Sequence, residues 1–112
     1  MNIFKKLFGG QQTTEEVKQE KEKGFDKVKY EGVRALRMHQ FDLAAKFLEH
    51  ALQLNADDLE CRDYLSRAYI SMGNLQQAYA QLQKISEAQS DNIAVLLRMA
   101  DVAYMMEDYI AM

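Results

Sequence analysis

The 112-residue chain contains no proline and a single cysteine, Cys61. One cysteine cannot form an internal disulfide, and no second thiol or clustered histidine accompanies it at a spacing typical of metal sites. No apolar stretch approaches the roughly 18 residues of a membrane-spanning helix. These absences exclude a disulfide framework, a CxxC-type metal site and a transmembrane segment, and they predict an ordinary buried or half-buried thiol at Cys61.

The chain also has no excess of positive charge. The formal net charge is −3 at pH 7, and residues 1–24 hold five lysines against four glutamates, which leaves −4 on the remainder. Binding to a phosphate backbone requires a basic excess that no part of this chain has. We therefore do not expect nucleic acid as a partner.

Sequence motifs of catalysis are missing. The chain has no Gly-rich phosphate loop, no GxSxG turn and no HExxH helix. His39 and His50 have no further ligand at an offset that would converge on a metal ion. Adjacent carboxylates at residues 57–58 and 107–108 lie at predicted helix boundaries, where capping explains them. We expect no enzyme activity, no metal and no cofactor.

The N-terminal residues 3–8 combine apolar side chains with two lysines, Lys5 and Lys6. The lysines interrupt the apolar run that a secretory signal needs, so the expected location is the cytoplasm. The same residues could form a short amphipathic helix on a membrane surface. The alternative is a frayed leader, or a hook that docks into a groove of this chain or of a neighbour.

Residues 59–92 have the pattern of two amphipathic helices that fold back on each other. In each half, apolar residues recur at steps of three and four with polar residues between them. Asp57 with Glu60 predicts a capping box for the first helix. Gly73 can take a positive φ at its end, and Asn74 can cap the next helix. Neither helix can bury its apolar stripe alone.

This pattern returns on both sides at a shift of about 34 residues, a period of helix-turn-helix solenoids. Gly32, Ser66 and Ala100 align, and small residues at one point of successive helices allow two backbones to approach closely. Six further columns align: Ala35 with Tyr69 and Ala103, Met38 with Met72 and Met106, Phe41 with Leu75 and Tyr109, Ala44 with Ala78, Leu48 with Leu82, and Ala51 with Ile85. The repeat predicts a stack of antiparallel helix pairs.

The repeats divide the chain into a leader and a helical domain. Residues 1–24 are predicted to be flexible or partly helical, with one solvated helix that ends near Lys23. Residues 25–112 form the repeat domain, with repeat 1 at 25–58, repeat 2 at 59–92 and an incomplete repeat 3 at 93–112. In repeat 3 we expect a helix to residue 106, a turn at Glu107 and Asp108, and the first turn of another helix.

The last complete helix would then expose part of the apolar stripe that a following helix should cover. Two explanations stay open. The chain is an N-terminal piece of a longer repeat protein, or it covers the stripe by pairing with another copy.

With this repeated pattern the chain resembles the tetratricopeptide repeat family, most closely in residues 39–58. The family's small residue in the first helix falls on Gly32, and its two alanines in the second helix fall on Ala44 and Ala51. The likeness covers roughly residues 25–112. It implies an all-α protein, a right-handed α-solenoid of antiparallel helix-turn-helix repeats.

In the resembling family, the first helices of successive repeats line a concave groove that holds an extended or helical peptide. Carried onto this chain, the groove positions are Lys29, Val33, Leu36 and Arg37 in repeat 1, Asp63, Tyr64, Arg67 and Ile70 in repeat 2, and Leu97, Arg98, Asp101 and Tyr104 in repeat 3. Arg67 and Arg98 are expected to grip a carboxylate in bidentate fashion.

The resemblance therefore implies a protein-interaction module that binds a mixed apolar and acidic peptide. The alternative for the same positions is a solvated face on which Tyr64 and Tyr104 pack locally. Two other functions also stay open. One is a structural segment that associates with itself, and the other is a membrane-surface adaptor that attaches through residues 3–8.

Overall fold

The computed structural model describes residues 14–111, and the side chains through residue 108. In this part of the chain the helices are α1 (Thr14–Arg37), α2 (Phe41–Leu54), α3 (Leu59–Met72), α4 (Leu75–Ala88) and α5 (Ile93–Ala111). Residues 14–111 contain no strand, so the prediction of an all-α protein is confirmed. The predictions for residues 3–8 lie outside the described residues.

Each helix packs against the next one along the chain, and α1 also contacts α3. The connections between helices are two to four residues long, which brings consecutive helices together as antiparallel neighbours. The helix-turn-helix repeats predicted from the sequence are confirmed.

Helix α1 differs from its prediction: it runs without a break from Thr14 to Arg37. The sequence predicted one helix ending near Lys23 and another beginning at Phe25. Residues 15–23 are mostly glutamate, lysine and glutamine, which are good helix formers, and a lone glycine costs a helix only about 1 kcal/mol. Gly24 is therefore too weak a signal to end the helix.

Helix α1 approaches α2 closely at Gly32. A Cβ atom at Gly32 would lie 2.7 Å from both Cγ and Cδ2 of Leu48, so only glycine fits beneath this leucine. Leu48 is fully buried, and one repeat later Ser66 and Leu82 are also fully buried. The aligned small residue is thus buried in both repeats, and at Gly32 the two helices approach each other closely.

Two apolar clusters hold the helices together. The N-terminal core comprises the buried residues Phe25, Ala35, Ala44, Ala45, Leu48, Ala51, Cys61, Leu65, Ala68, Tyr69 and Ala78. The C-terminal core comprises Leu82, Ile85, Val95 and Val102. Ile70, one of the predicted groove residues, is half-buried and packs against both cores. The helices therefore share their apolar surface from neighbour to neighbour, as in a solenoid.

The first two helix pairs turn at equivalent residues. His39 (φ 60°) and Gly73 (φ 79°) both adopt the left-handed conformation, and they are 34 residues apart. Glu107 holds the equivalent position in repeat 3 but remains helical, because α5 continues to Ala111. The predicted turn at residues 107–108 is wrong. Glutamate favours the helix, and a left-handed conformation would cost it roughly 1–2 kcal/mol.

The helix caps also differ from their predictions. Asp58, not Asp57, caps α3, and its carboxylate accepts a hydrogen bond from the Cys61 backbone N–H at 2.9 Å. The backbone N–H of Asp57 instead donates to the side chain of Asn55. Asn74 begins α4 without a side-chain cap, and its backbone N–H donates to the Tyr69 carbonyl oxygen at the end of α3.

The Cys61 thiol is fully buried and donates a hydrogen bond to the Leu48 carbonyl oxygen at 3.4 Å. Burial, with a further contribution from Asp58, raises the pKa of Cys61 from 9.0 to about 11. A thiol whose pKa is raised by folding contributes stability below pH 9, and this contribution is lost as the pH rises towards about 11. We expect the free energy of unfolding to fall over this interval.

Denaturant unfolding of the wild type and of Cys61→Ala between pH 9 and about pH 11 measures this fall in the free energy of unfolding. The variant should lose less stability, since it has no thiol to ionise on unfolding. Burial and a hydrogen bond to Glu49 also raise the pKa of Tyr69, to about 12, but this contribution is common to both proteins. Equal losses in the two proteins would contradict the prediction.

Candidate peptide-binding groove

A groove of about 360 Å³ lies between α1 and α3, the first helices of repeats 1 and 2. We call it the α1–α3 groove. It is lined by Asp26, Lys29, Tyr30, Val33, Arg34 and Arg37 from α1 and by Glu60 and Tyr64 from α3.

One face of α1 supplies most of the groove. Asp26, Tyr30, Val33 and Arg37 follow one another at steps of three or four residues, so they lie along a single stripe of the helix. The buried residues of α1, among them Gly32 and Ala35, lie on a different face, where Gly32 meets α2. Packing against α2 thus turns the groove-lining stripe towards α3.

Lys29 connects the two walls at one end of the groove. Its Nζ atom lies 2.9 Å from a carboxylate oxygen of Asp58 and 2.8 Å from one of Glu60, and 5.5 Å from the ring centre of Phe25. Burial alone lowers the pKa of Lys29, but the hydrogen bonds to Asp58 and Glu60 outweigh it and raise the pKa above 10.5. Lys29 therefore stays charged and holds α1 to the start of α3.

Asp63 on α3 pairs with both arginines that were expected to bind a partner. Its carboxylate accepts a hydrogen bond from Arg67 at 2.9 Å and a second one from Arg98 on α5. The Arg67 guanidinium also lies 5.5 Å from the ring centre of Tyr64. Both arginines thus have an internal carboxylate, and the pair with Arg98 ties repeat 3 to repeat 2.

The structure brings four of the predicted residues together in the α1–α3 groove: Lys29, Val33, Arg37 and Tyr64. Leu36 instead packs against the N-terminal core.

The remaining predicted residues on α5 lie elsewhere. Leu97 and Tyr104 are strongly exposed, and Asp101 is also exposed. Tyr104 lines a larger groove formed by α5 and the start of α4. Repeat 3 therefore adds no residue to the α1–α3 groove.

Four groove residues were missed by the sequence reasoning: Asp26, Tyr30, Arg34 and Glu60. The helical spacing from Val33 could have indicated Asp26 and Tyr30, since both continue its stripe along α1. Glu60 could not be found in this way, because its place depends on how the start of α3 meets Lys29.

The two ends of the groove differ in charge. Arg34 and Arg37 lie in the last turn of α1, both are exposed, and neither has a carboxylate partner among residues 14–108. At the other end, Lys29 is neutralised by Asp58 and Glu60. Val33 and Tyr64, both half-buried, lie between these ends. The groove thus has an apolar middle and one cationic end.

Residues 14–111 contain no group of three or more histidine, cysteine or acidic residues placed to hold a metal ion. Nor does any helix within them have the length and apolar character to cross a membrane.

Antiparallel helix pairs in series, each packed on the next, define a helical repeat protein. A family model described as Tetratricopeptide repeat matches residues 35–102, which is more than half of the chain. The chain belongs to this family, as its residue pattern predicted. Repeats of this family generally mediate protein–protein interactions. No curated protein matches the chain significantly.

Proposed function

We propose that the protein is an interaction scaffold that binds a peptide segment of a partner protein in the α1–α3 groove. The observation that carries this proposal is the pair Arg34 and Arg37, two exposed cations with no carboxylate partner among residues 14–108, beside the apolar surface of Val33 and Tyr64. Unpaired guanidinium groups next to an apolar surface suit a ligand with both carboxylates and apolar side chains.

The arrangement also gives the ligand a direction and a length. Acidic residues of the peptide lie at the end of α1, where Arg34 and Arg37 donate hydrogen bonds, and an apolar residue lies on Val33 and Tyr64. Asp26 and Arg37 are eleven residues apart on one helix, a distance of about 16 Å. An extended peptide of about five residues covers it.

The internal ion pairs support an acidic ligand. Asp63 lies on α3 one residue before Tyr64, and a free carboxylate there would repel an acidic peptide. Arg67 and Arg98 neutralise it. In this proposal the two arginines act by removing a repulsion, and the contact with the peptide falls to Arg34 and Arg37. We also propose that the repeats stack in a right-handed sense and that the protein is located in the cytoplasm.

Charge reversal at the cationic end tests the groove. Fluorescence anisotropy measures binding of synthetic peptides in which one or two leucines precede two or three aspartates, with lysine-containing peptides as the comparison. We expect Arg34→Glu with Arg37→Glu to weaken binding of the acidic peptides by about tenfold or more, since two charge-assisted contacts become repulsions. Added salt should weaken wild-type binding in the same direction.

The matched control is Lys46→Glu with Lys84→Glu. Both lysines are exposed, they lie on α2 and α4 outside the groove, and the change in net charge is the same. If both double variants lose affinity equally, only net charge matters and the groove is not the binding site. If the wild type prefers the lysine-containing peptides or binds neither set, the proposed ligand is wrong.

A further inference from the structure

Helix α5 has an uncovered apolar face. Ile93, Leu97 and Tyr104 are 68%, 62% and 73% exposed. The residues one repeat earlier on α3 are Leu59, Asp63 and Ile70, and all three are only partly exposed. Large apolar side chains therefore occupy, on α5, positions that are covered on α3.

On α3 this face is covered by α4 and also by α5, whose Arg98 pairs with Asp63. Ser66 is fully buried, whereas Ala100, its equivalent on α5, is exposed. Beside Ala100 lies a groove of about 1190 Å³, which Leu75 of α4 and Ala103, Tyr104 and Met106 of α5 help to line. A helix antiparallel to α5 would fill this groove, as α4 does for α3.

The uncovered face of α5 also has the residue spacing of a covering helix. The core residues of α2 are Ala44, Ala45, Leu48 and Ala51, and the half-buried Phe41 begins the same stripe. Along the uncovered side of α5, apolar residues recur at the same five offsets: Ile93, Leu96, Leu97, Ala100 and Ala103. One helix thus offers both a face to be covered and a stripe suited to cover it.

We propose that this face is an interface with a second copy of the chain, in which the two α5 helices pack antiparallel about a two-fold axis at Ala100. A two-fold axis perpendicular to a helix makes its two copies antiparallel. This is the direction that the second helix of a repeat takes relative to the first. Each α5 therefore covers the other as α4 covers α3.

The residues on either side of Ala100 complement one another in this arrangement. Leu96 and Leu97 of one copy meet Tyr104 and Ala103 of the other, and the small Ala100 at the axis allows the backbones to approach. Ile93 and Glu107 are each seven residues from Ala100, about 10 Å along the helix. The Glu107 carboxylate of each copy thus lies near the N-terminal end of the partner helix, where free N–H groups favour negative charge.

The molar mass of the 112-residue chain tests the interface. Light scattering and sedimentation equilibrium should show the mass rising with concentration from 13.0 kDa to twice that value. Ala100→Glu places a buried carboxylate at the axis, so this variant should remain at the monomer mass throughout. Ala80→Glu is the control, because Ala80 is exposed on α4 and the substitution is the same.

A cysteine at the axis gives a second readout. Ala100→Cys should form a disulfide-linked dimer under mild oxidation, because residue 100 meets its own copy, whereas Ala80→Cys should form no disulfide-linked dimer. The native Cys61 is buried in both proteins and takes no part.

Three results would each overturn the interface: a monomer at all concentrations up to about 1 mM, a mass above that of a dimer, or association that Ala100→Glu leaves unchanged. A wild type that stays monomeric but acquires mass with an added helical peptide would assign the face to another protein. The variant Arg34→Glu with Arg37→Glu should dimerise like the wild type. The test of this interface is therefore independent of the test of the α1–α3 groove.

Discussion

Replacing Leu48 by alanine is expected to lower the free energy of unfolding by about 2–5 kcal/mol. Leu48 is fully buried in the N-terminal core, and the residue that faces it on α1 is Gly32. Glycine has no side chain that could move into the cavity left by the leucine. The loss should therefore lie towards the upper part of the range, and denaturant unfolding monitored by circular dichroism measures it.

Gly32→Ala provides the matching test of this contact. In the wild type the new Cβ would lie 2.7 Å from Leu48 Cγ, and we expect a net loss of roughly 1–3 kcal/mol despite the better helix propensity of alanine. In the Leu48→Ala background the two side-chain atoms are gone and only the backbone N of residue 48 remains close, at 3.3 Å, so Gly32→Ala should cost much less than in the wild type. A loss of equal size in both backgrounds would show that the close approach at Gly32 is not the cause.

Gly24→Ala is the control on the same helix. A Cβ atom at Gly24 would lie 3.8 Å from Leu54 Cδ1, which is an ordinary contact. This substitution should stabilise the protein by up to about 1 kcal/mol, since only the helix propensity changes.

The helix pairs could be predicted from the sequence because their signals are local and repeated. An apolar stripe with a period near 3.6 residues defines each helix, and the column of Gly32, Ser66 and Ala100 marks the spacing between repeats. The errors lie at two predicted helix ends. Gly24 does not end α1, and Glu107 does not begin a turn.

The groove was only partly predictable for a related reason. Val33 and Tyr64, which were named by residue-by-residue comparison with the family, both line the α1–α3 groove, because their positions follow from helix register. The ion pairs did not follow from register. Asp63 and Arg98 are 35 residues apart and on different helices, so their contact depends on the angle at which α5 meets α3. That angle is set by packing and leaves no local pattern in the sequence.

Replacing Leu82 by alanine makes the same change one repeat later and is expected to cost a similar 2–5 kcal/mol. Leu82 is fully buried, but it belongs to the C-terminal core rather than to the core of Leu48. In a stack where each unit contacts only its neighbours, a cavity weakens its own unit first. Amide hydrogen exchange should therefore speed up in α4 and α5 before it does in α1 and α2.

Leu48→Ala should give the opposite distribution, with the largest loss of protection in α1 and α2. The exchange is measured at low protein concentration, so that contacts between copies of α5 do not protect that helix. Ile70 packs against both cores, and the helix that carries it, α3, should lose protection in both variants. Equal acceleration in all the helices of residues 14–111, in either variant, would mean that the two cores unfold as one cooperative unit. The difference between the two exchange profiles thus measures how strongly one repeat depends on the next.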